Sequence, residues 1–117
     1  MITYTATDDD GNTTQCSFTV KVIDTQAPAI SCPANQNLSV SSGCVGATIV
    51  PDYTNGAQIT DNCPTNVTLS QTPAAGTLLS GVVNPVQSGQ TFSVTLIATD
   101  GQANNLSSAP CTFTALA

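Results

Sequence analysis

The sequence predicts an all-β chain held together by disulfides, and three observations carry that expectation. First, charged residues make up only 7% of the 117 residues, against roughly 25% in an average soluble protein. All acidic residues are Asp, Lys21 is the single basic residue, and His and Trp are absent. Glu, Lys and Arg are the residues that populate exposed helix faces, so amphipathic helices are not expected. Second, Thr, Val and Ile favour strands, and the abundant Asp, Asn, Gly and Pro favour turns. Third, 5 cysteines are spread through turn-bounded strands. They include no Cys-x-x-Cys pair and have no His to complete a zinc site, so disulfides in an oxidising compartment are the better reading. An odd number leaves one cysteine to pair outside the chain or stay free.

Along the chain, Ile2, Tyr4 and Ala6 alternate with Thr3, Thr5 and Thr7, the pattern of a half-buried strand. Asp8-Asp9-Asp10-Gly11-Asn12 turns the chain into a second alternating strand through Cys16, Phe18, Val20 and Val22. Asp24-Thr25-Gln26-Ala27-Pro28 is a short linker. A strand begins at Ile30 and Cys32, is interrupted by Pro33, and continues through Leu38 and Val40. After Gly43 another runs from Cys44 to Val50 and stops at Pro51. Residues 51–64 read as a polar loop. Val67 and Leu69 mark a further strand, and Pro73-Ala74-Ala75-Gly76 a turn. Residues 77–89 are weakly patterned. The clearest strand is 91–99, with Phe92, Val94, Leu96 and Ala98 on one face; the last carries Cys111, Phe113 and Ala115.

A net charge of −6 with one cation excludes a phosphate-binding surface, so nucleic acid is not an expected partner. It equally disfavours anionic lipid. No apolar run approaches the roughly 18 residues of a spanning helix, so no membrane insertion is expected. Met1-Ile2-Thr3-Tyr4-Thr5 lack the basic start and apolar stretch of a secretory leader, which points to a mature chain or a piece of a longer one. Without His or Glu, with one Lys and no Gly-x-Ser-x-Gly elbow, the chain is not expected to be an enzyme and carries no catalytic residues.

The start of the chain resembles its end. TYTATDDDGNTTQCSFTV at 3–20 and TLIATDGQANNLSSAPCTFTA at 95–115 share Ala-Thr-Asp, a Gly/Asn turn, then Cys-x-Phe-Thr. Cys16 thus corresponds to Cys111 and Phe18 to Phe113, a period of 95 residues, which is one β-domain rather than one solenoid turn. Residues 1–23 therefore read as the closing β-hairpin of a preceding or partner repeat, 24–28 as the linker, and 29–117 as a complete module. A lone two-stranded hairpin is marginal in water. This one presents Tyr4, Phe18, Val20 and Val22 as an apolar interface. Either a longer chain supplies its cover, or a neighbouring subunit does so by strand addition.

The chain resembles the HYR (hyalin repeat) family. The residues are Ala27-Pro28-Ala29-Ile30-Ser31-Cys32-Pro33, Asp61-Asn62-Cys63, and Ala98-Thr99-Asp100 leading to Cys111-Thr112-Phe113. The N-terminal hairpin fits the closing motif better still, with Gly11-Asn12 and Cys16-Ser17-Phe18. Gly43-Cys44 and Pro51-Asp52-Tyr53-Thr54 are similar to bacterial members. Gln102-Ala103-Asn104-Asn105 departs from the plain Gly-Asn turn. The resemblance implies an immunoglobulin-like antiparallel β-sandwich, disulfide-stabilised, with an extra N-terminal β-hairpin. It also implies pairings: Cys32 with Cys111, Cys44 with Cys63, and Cys16 outside the chain or with a neighbouring repeat, a free Cys16 thiol being the plain alternative.

The implied function is a structural or adhesive repeat of an extracellular fibre or large cell-surface protein. Its partners would be like repeats or other copies of the chain, with surface glycans as further candidates. The alternative is a carbohydrate-binding accessory module of a secreted enzyme, for which Tyr53 is the remaining stacking aromatic. No resident metal or other cofactor is expected. Calcium candidates are Asp8, Asp10 and Asn12, whose oxygens alternate as in calcium loops, although a hairpin turn uses the same residues. Asp24 in the linker, near Asp61 or Asp100, is a further candidate for an ion at the joint.

Overall fold

The computed structural model describes residues 1–39, 48–83, 89–101 and 106–116. These form an all-β chain without α-helix among the described residues. Two strands, β1 (Ile2–Thr7) and β2 (Thr13–Phe18), pair antiparallel as an N-terminal hairpin. Gly11 closes its turn at a φ of 87°, a conformation that glycine enters without steric cost. The rest of the chain builds a body from two sheets. β3 (Ala29–Ser31) pairs antiparallel with β5 (Gln58–Thr60). The other four strands are β4 (Gln36–Asn37), β6 (Thr68–Thr72), β7 (Thr91–Thr99) and β8 (Cys111–Leu116), in the order β4-β8-β7-β6. β4 runs parallel to β8; the other pairs are antiparallel.

The alternation in β7 and β8 places the core. Phe92, Val94, Leu96 and Ala98 are buried on one face of β7, and Cys111, Phe113 and Ala115 on the same face of β8. The opposite face is polar, with the hydroxyls of Thr95 and Thr112 3.1 Å apart. Val50 and Leu79 complete the buried cluster, and Ile30, Leu38, Tyr53, Ala57, Val82 and Val83 pack against it from the other elements. Cys32 and Cys111 form a disulfide with Cα atoms 5.5 Å apart, tying the chain just past β3 to the first residue of β8.

Three elements differ from the sequence expectation. β2 ends at Phe18 instead of running to Val22, because its Phe18 already pairs with Ile2 and β1 has nothing left to offer residues 19–22. Val20 and Val22 are therefore exposed without being in a strand. The stretch expected as a loop contains β5 and a short 3-10 turn at Thr54–Gly56. Gln58-Ile59-Thr60 has one apolar residue, too few to show an alternation. The strand expected from Cys44 to Val50 is described only from Thr48, where Ile49 makes an isolated bridge to Leu78; Val40 and Cys44 lie outside the described residues.

The hairpin stands away from the body. No body strand pairs with β1 or β2, and every residue of both strands is exposed. The molecule measures 91 × 21 × 16 Å with a radius of gyration of 24.7 Å, against about 13 Å for a compact chain of this length.

Candidate functional site

Two features of the structure bear on function: the uncovered face of the hairpin and an acidic joint where the linker meets the body.

The hairpin repeats the closing hairpin of the body in register. Tyr4 faces Cys16 and Ile2 faces Phe18; Leu96 faces Cys111 and Val94 faces Phe113. The body residues in these positions are 0–6% exposed, whereas Ile2, Tyr4 and Phe18 are 43%, 62% and 44% exposed. Tyr4 and Phe18 pack on each other at 5.7 Å between ring centroids, which shields only part of either ring. Cys16 is exposed and unbonded. On the other face Thr3 and Ser17 share a hydroxyl hydrogen bond of 2.9 Å. One face is thus built for water and the other for burial. Val20 and Val22, expected on the same face, lie in the segment after β2 and extend the exposed apolar surface toward the linker.

At the start of that linker, Asp24 converges with Asp61 and Asp100 of the body. One oxygen from each carboxylate lies within 4.8 Å of the others. Asp61 directly follows β5 and Asp100 directly follows β7, so two strand ends and the linker meet there. Each carboxylate is oriented through its Oδ1. Asp24 accepts from the Gln26 amide at 2.9 Å and the Asn62 side-chain amide at 3.1 Å. Asp61 accepts from the Cys63 amide at 3.1 Å, and Asp100 from the Leu106 amide at 3.1 Å. The Gln26 amide, then the Asn62 amide, hold the Asp24 carboxyl below its ordinary value. Asp100 is 1% exposed, and the Oδ2 atoms of Asp61 and Asp100 are buried and receive no hydrogen bond.

The turn residues put forward for calcium behave differently. Asp8 Oδ1 accepts from the amides of Asp10 at 3.1 Å and Asn12 at 2.8 Å, and its Oδ2 accepts from the Asn12 side chain at 2.9 Å. Asn12 thus donates to Asp8 and both Asp8 oxygens serve the turn. Those bonds, that from the Asn12 side chain first, hold the Asp8 carboxyl low. Asp8 and Asp100 are the same position of the repeat. Each also donates its amide across its turn, to Asn12 and Leu106 respectively. They differ in the second oxygen: Asp8 spends it on Asn12, and Asp100 turns it into the joint.

Tyr53, put forward for sugar stacking, packs against the core. It is half-buried, its ring meets Phe113 edge-on at 5.4 Å, and burial pushes its hydroxyl up. Cys63, expected to bridge to Cys44, is half-buried and carries a free thiol; Cys44 itself lies outside the described residues. The sequence put Asp24 near Asp61 or Asp100; that Asp61 and Asp100 also meet each other was hidden by their separation and by the unexpected β5, which ends at Thr60.

No protein-family model matches the chain, and no solved structure matches it.

Proposed function

We propose that the chain is a structural repeat of an extracellular fibre or large cell-surface protein, of the HYR type and with an immunoglobulin-like sandwich as its module. Like modules assemble end to end, with β1 and β2 closing the core of another unit. The observation that carries this reading is the shared register: the hairpin presents Ile2, Tyr4, Cys16 and Phe18 where the body buries Val94, Leu96, Cys111 and Phe113. What covers that face is then a set of strands equivalent to β3 through β6. The body of this chain fills its own closing position with β7 and β8, so the acceptor is a like module whose closing position is open, upstream in the same polypeptide or in a subunit that exchanges hairpins. A disulfide and no long apolar helix among the described residues fit an extracellular setting.

Disulfide mapping of the assembled protein tests this. Cys16 should be bridged to a cysteine that stands, in another unit, where Cys32 stands here. Recovery of Cys16 as a free thiol from the assembled form would overturn the proposal.

A further inference from the structure

We infer that Asp24, Asp61 and Asp100 bind one calcium ion at the joint between the linker and the body. The inference goes beyond the assembly role and stands whether or not the hairpin docks as proposed.

Three facts converge on it. Asp100 is 1% exposed, and its Oδ2 is buried without a hydrogen bond; Asp61 Oδ2 is likewise buried and without one. A buried carboxylate oxygen with no donor is costly unless a cation meets it. Second, side chains cannot supply that cation. Three carboxylates gather within 4.8 Å, and the chain has one basic residue in total, so Lys21 could match one charge at most. Third, the spacing and chemistry suit calcium. Oxygens within 4.8 Å of one another can share one ion, and calcium accepts several carboxylates in a flexible geometry, whereas magnesium keeps most of its waters and takes one or two carboxylates. The donors are all hard oxygens, which calcium prefers.

The hydrogen bonds set the mode of binding. The Oδ1 atoms are held by the amides of Gln26, Cys63 and Leu106, which aligns the carboxylates and leaves Oδ2 of Asp61 and Asp100 toward the ion. Each carboxylate then binds through one oxygen, and water or backbone carbonyls fill the remaining positions. The repeat provides an internal contrast: Asp8 occupies the equivalent turn, has both oxygens hydrogen-bonded within it, and is exposed. Because Asp24 belongs to the linker and the other two to the body, the ion fixes the angle at which the linker leaves.

The test is titration of the full chain, stripped with EDTA, with calcium chloride followed by calorimetry. One ion should bind per chain with a dissociation constant on the order of 10⁻⁴–10⁻³ M, as in extracellular calcium modules, and the melting temperature should rise with it. Magnesium chloride should bind at least about tenfold more weakly. Asp61→Asn and Asp100→Asn keep the Oδ1 acceptor and should each weaken binding by about tenfold or more, while Asp8→Asn should not change it. Circular dichroism identifies a variant that fails to fold. Asp61, half-buried on a loop, serves if Asp100→Asn does so. Calcium should also slow proteolysis within 19–28. No binding at about ten times the upper end of that range would overturn the inference. So would unchanged affinity in folded Asp61→Asn, or loss of binding in Asp8→Asn alone.

Discussion

Tyr4 sits across from Cys16 in the N-terminal hairpin as Leu96 sits across from Cys111 in the body. The positions match and the surroundings are opposite, with Tyr4 62% exposed and Leu96 fully buried. The two residues should therefore answer mutation differently, although the sequence repeat makes them equivalent.

Leu96→Ala removes a side chain from the centre of the core and should destabilise the body by about 2–5 kcal/mol. Tyr4→Ala in the same isolated chain should change stability by no more than about 0.5 kcal/mol. Urea unfolding followed by circular dichroism distinguishes the two. Comparable losses would mean that the hairpin face is already covered.

Cys16 is exposed and unbonded, whereas Cys111 is bonded and buried. In the isolated native chain a maleimide should label Cys16 without denaturant. Cys63 is also a free thiol but only half-exposed, so the label is located by peptide mapping. Cys16→Ser should remove the fast-labelling site in the hairpin and leave the Cys32–Cys111 bridge intact by mass spectrometry.

The bridge between Cys32 and Cys111 spans 79 residues. In the chain-entropy account a loop of that size stabilises the fold by about 4.5 kcal/mol. Replacing both cysteines by Ser should cost about 2–5 kcal/mol in denaturant unfolding under oxidising conditions, and adding reductant should bring the native chain down to the variant.

Much of the body was legible because β7 and β8 alternate cleanly. Phe92, Val94, Leu96, Ala98, Cys111, Phe113 and Ala115 were identified as one face by period alone, and that face is the core. β5 was not legible, because three residues with a single Ile carry no period. The end of β2 was misplaced for another reason: Val20 and Val22 continue the alternation, but a strand extends only as far as its partner does, and β1 begins at Ile2. At the joint, the sequence put Asp24 near Asp61 or Asp100. That both join it depends on which strand ends share a pole of the body, a property of the three-dimensional arrangement.

Acid should destabilise the chain. Asp8, Asp24 and Asp52 are held below their ordinary value of 3.8 by hydrogen bonds, Asp52 chiefly by the Thr54 hydroxyl at 2.6 Å and then the Thr54 amide. The folded form thus takes up protons less readily than the unfolded one. The stabilisation is complete above the ordinary value and lost as pH falls through the lower folded values. The melting temperature should be level from neutrality to about pH 5 and fall below about pH 4. A melting temperature that rises on acidification through this range would contradict these bonds.

Gly101 follows Asp100 and is exposed, but its Cβ direction is blocked by Asn66. A Cβ at this position would lie 2.9 Å from both the Cβ and the backbone oxygen of Asn66, whose own φ is 79°. Gly101→Ala should cost about 1–3 kcal/mol from overpacking, measured by thermal unfolding. A neutral result would show that the loop at Asn66 moves freely.

The bond between Cys32 and Cys111 also decides how the chain would respond if pulled from its two ends. Tension entering at Cys32 crosses to Cys111 through the sulfur atoms and bypasses the intervening sequence. Even a body melted by force could not release that sequence, and about 270 Å of contour would stay locked behind a pair of Cα atoms 5.5 Å apart. Extension would come only from the segments outside the bridge. A fibre of such units would be nearly inextensible while oxidised and become a long, soft spring once reduced.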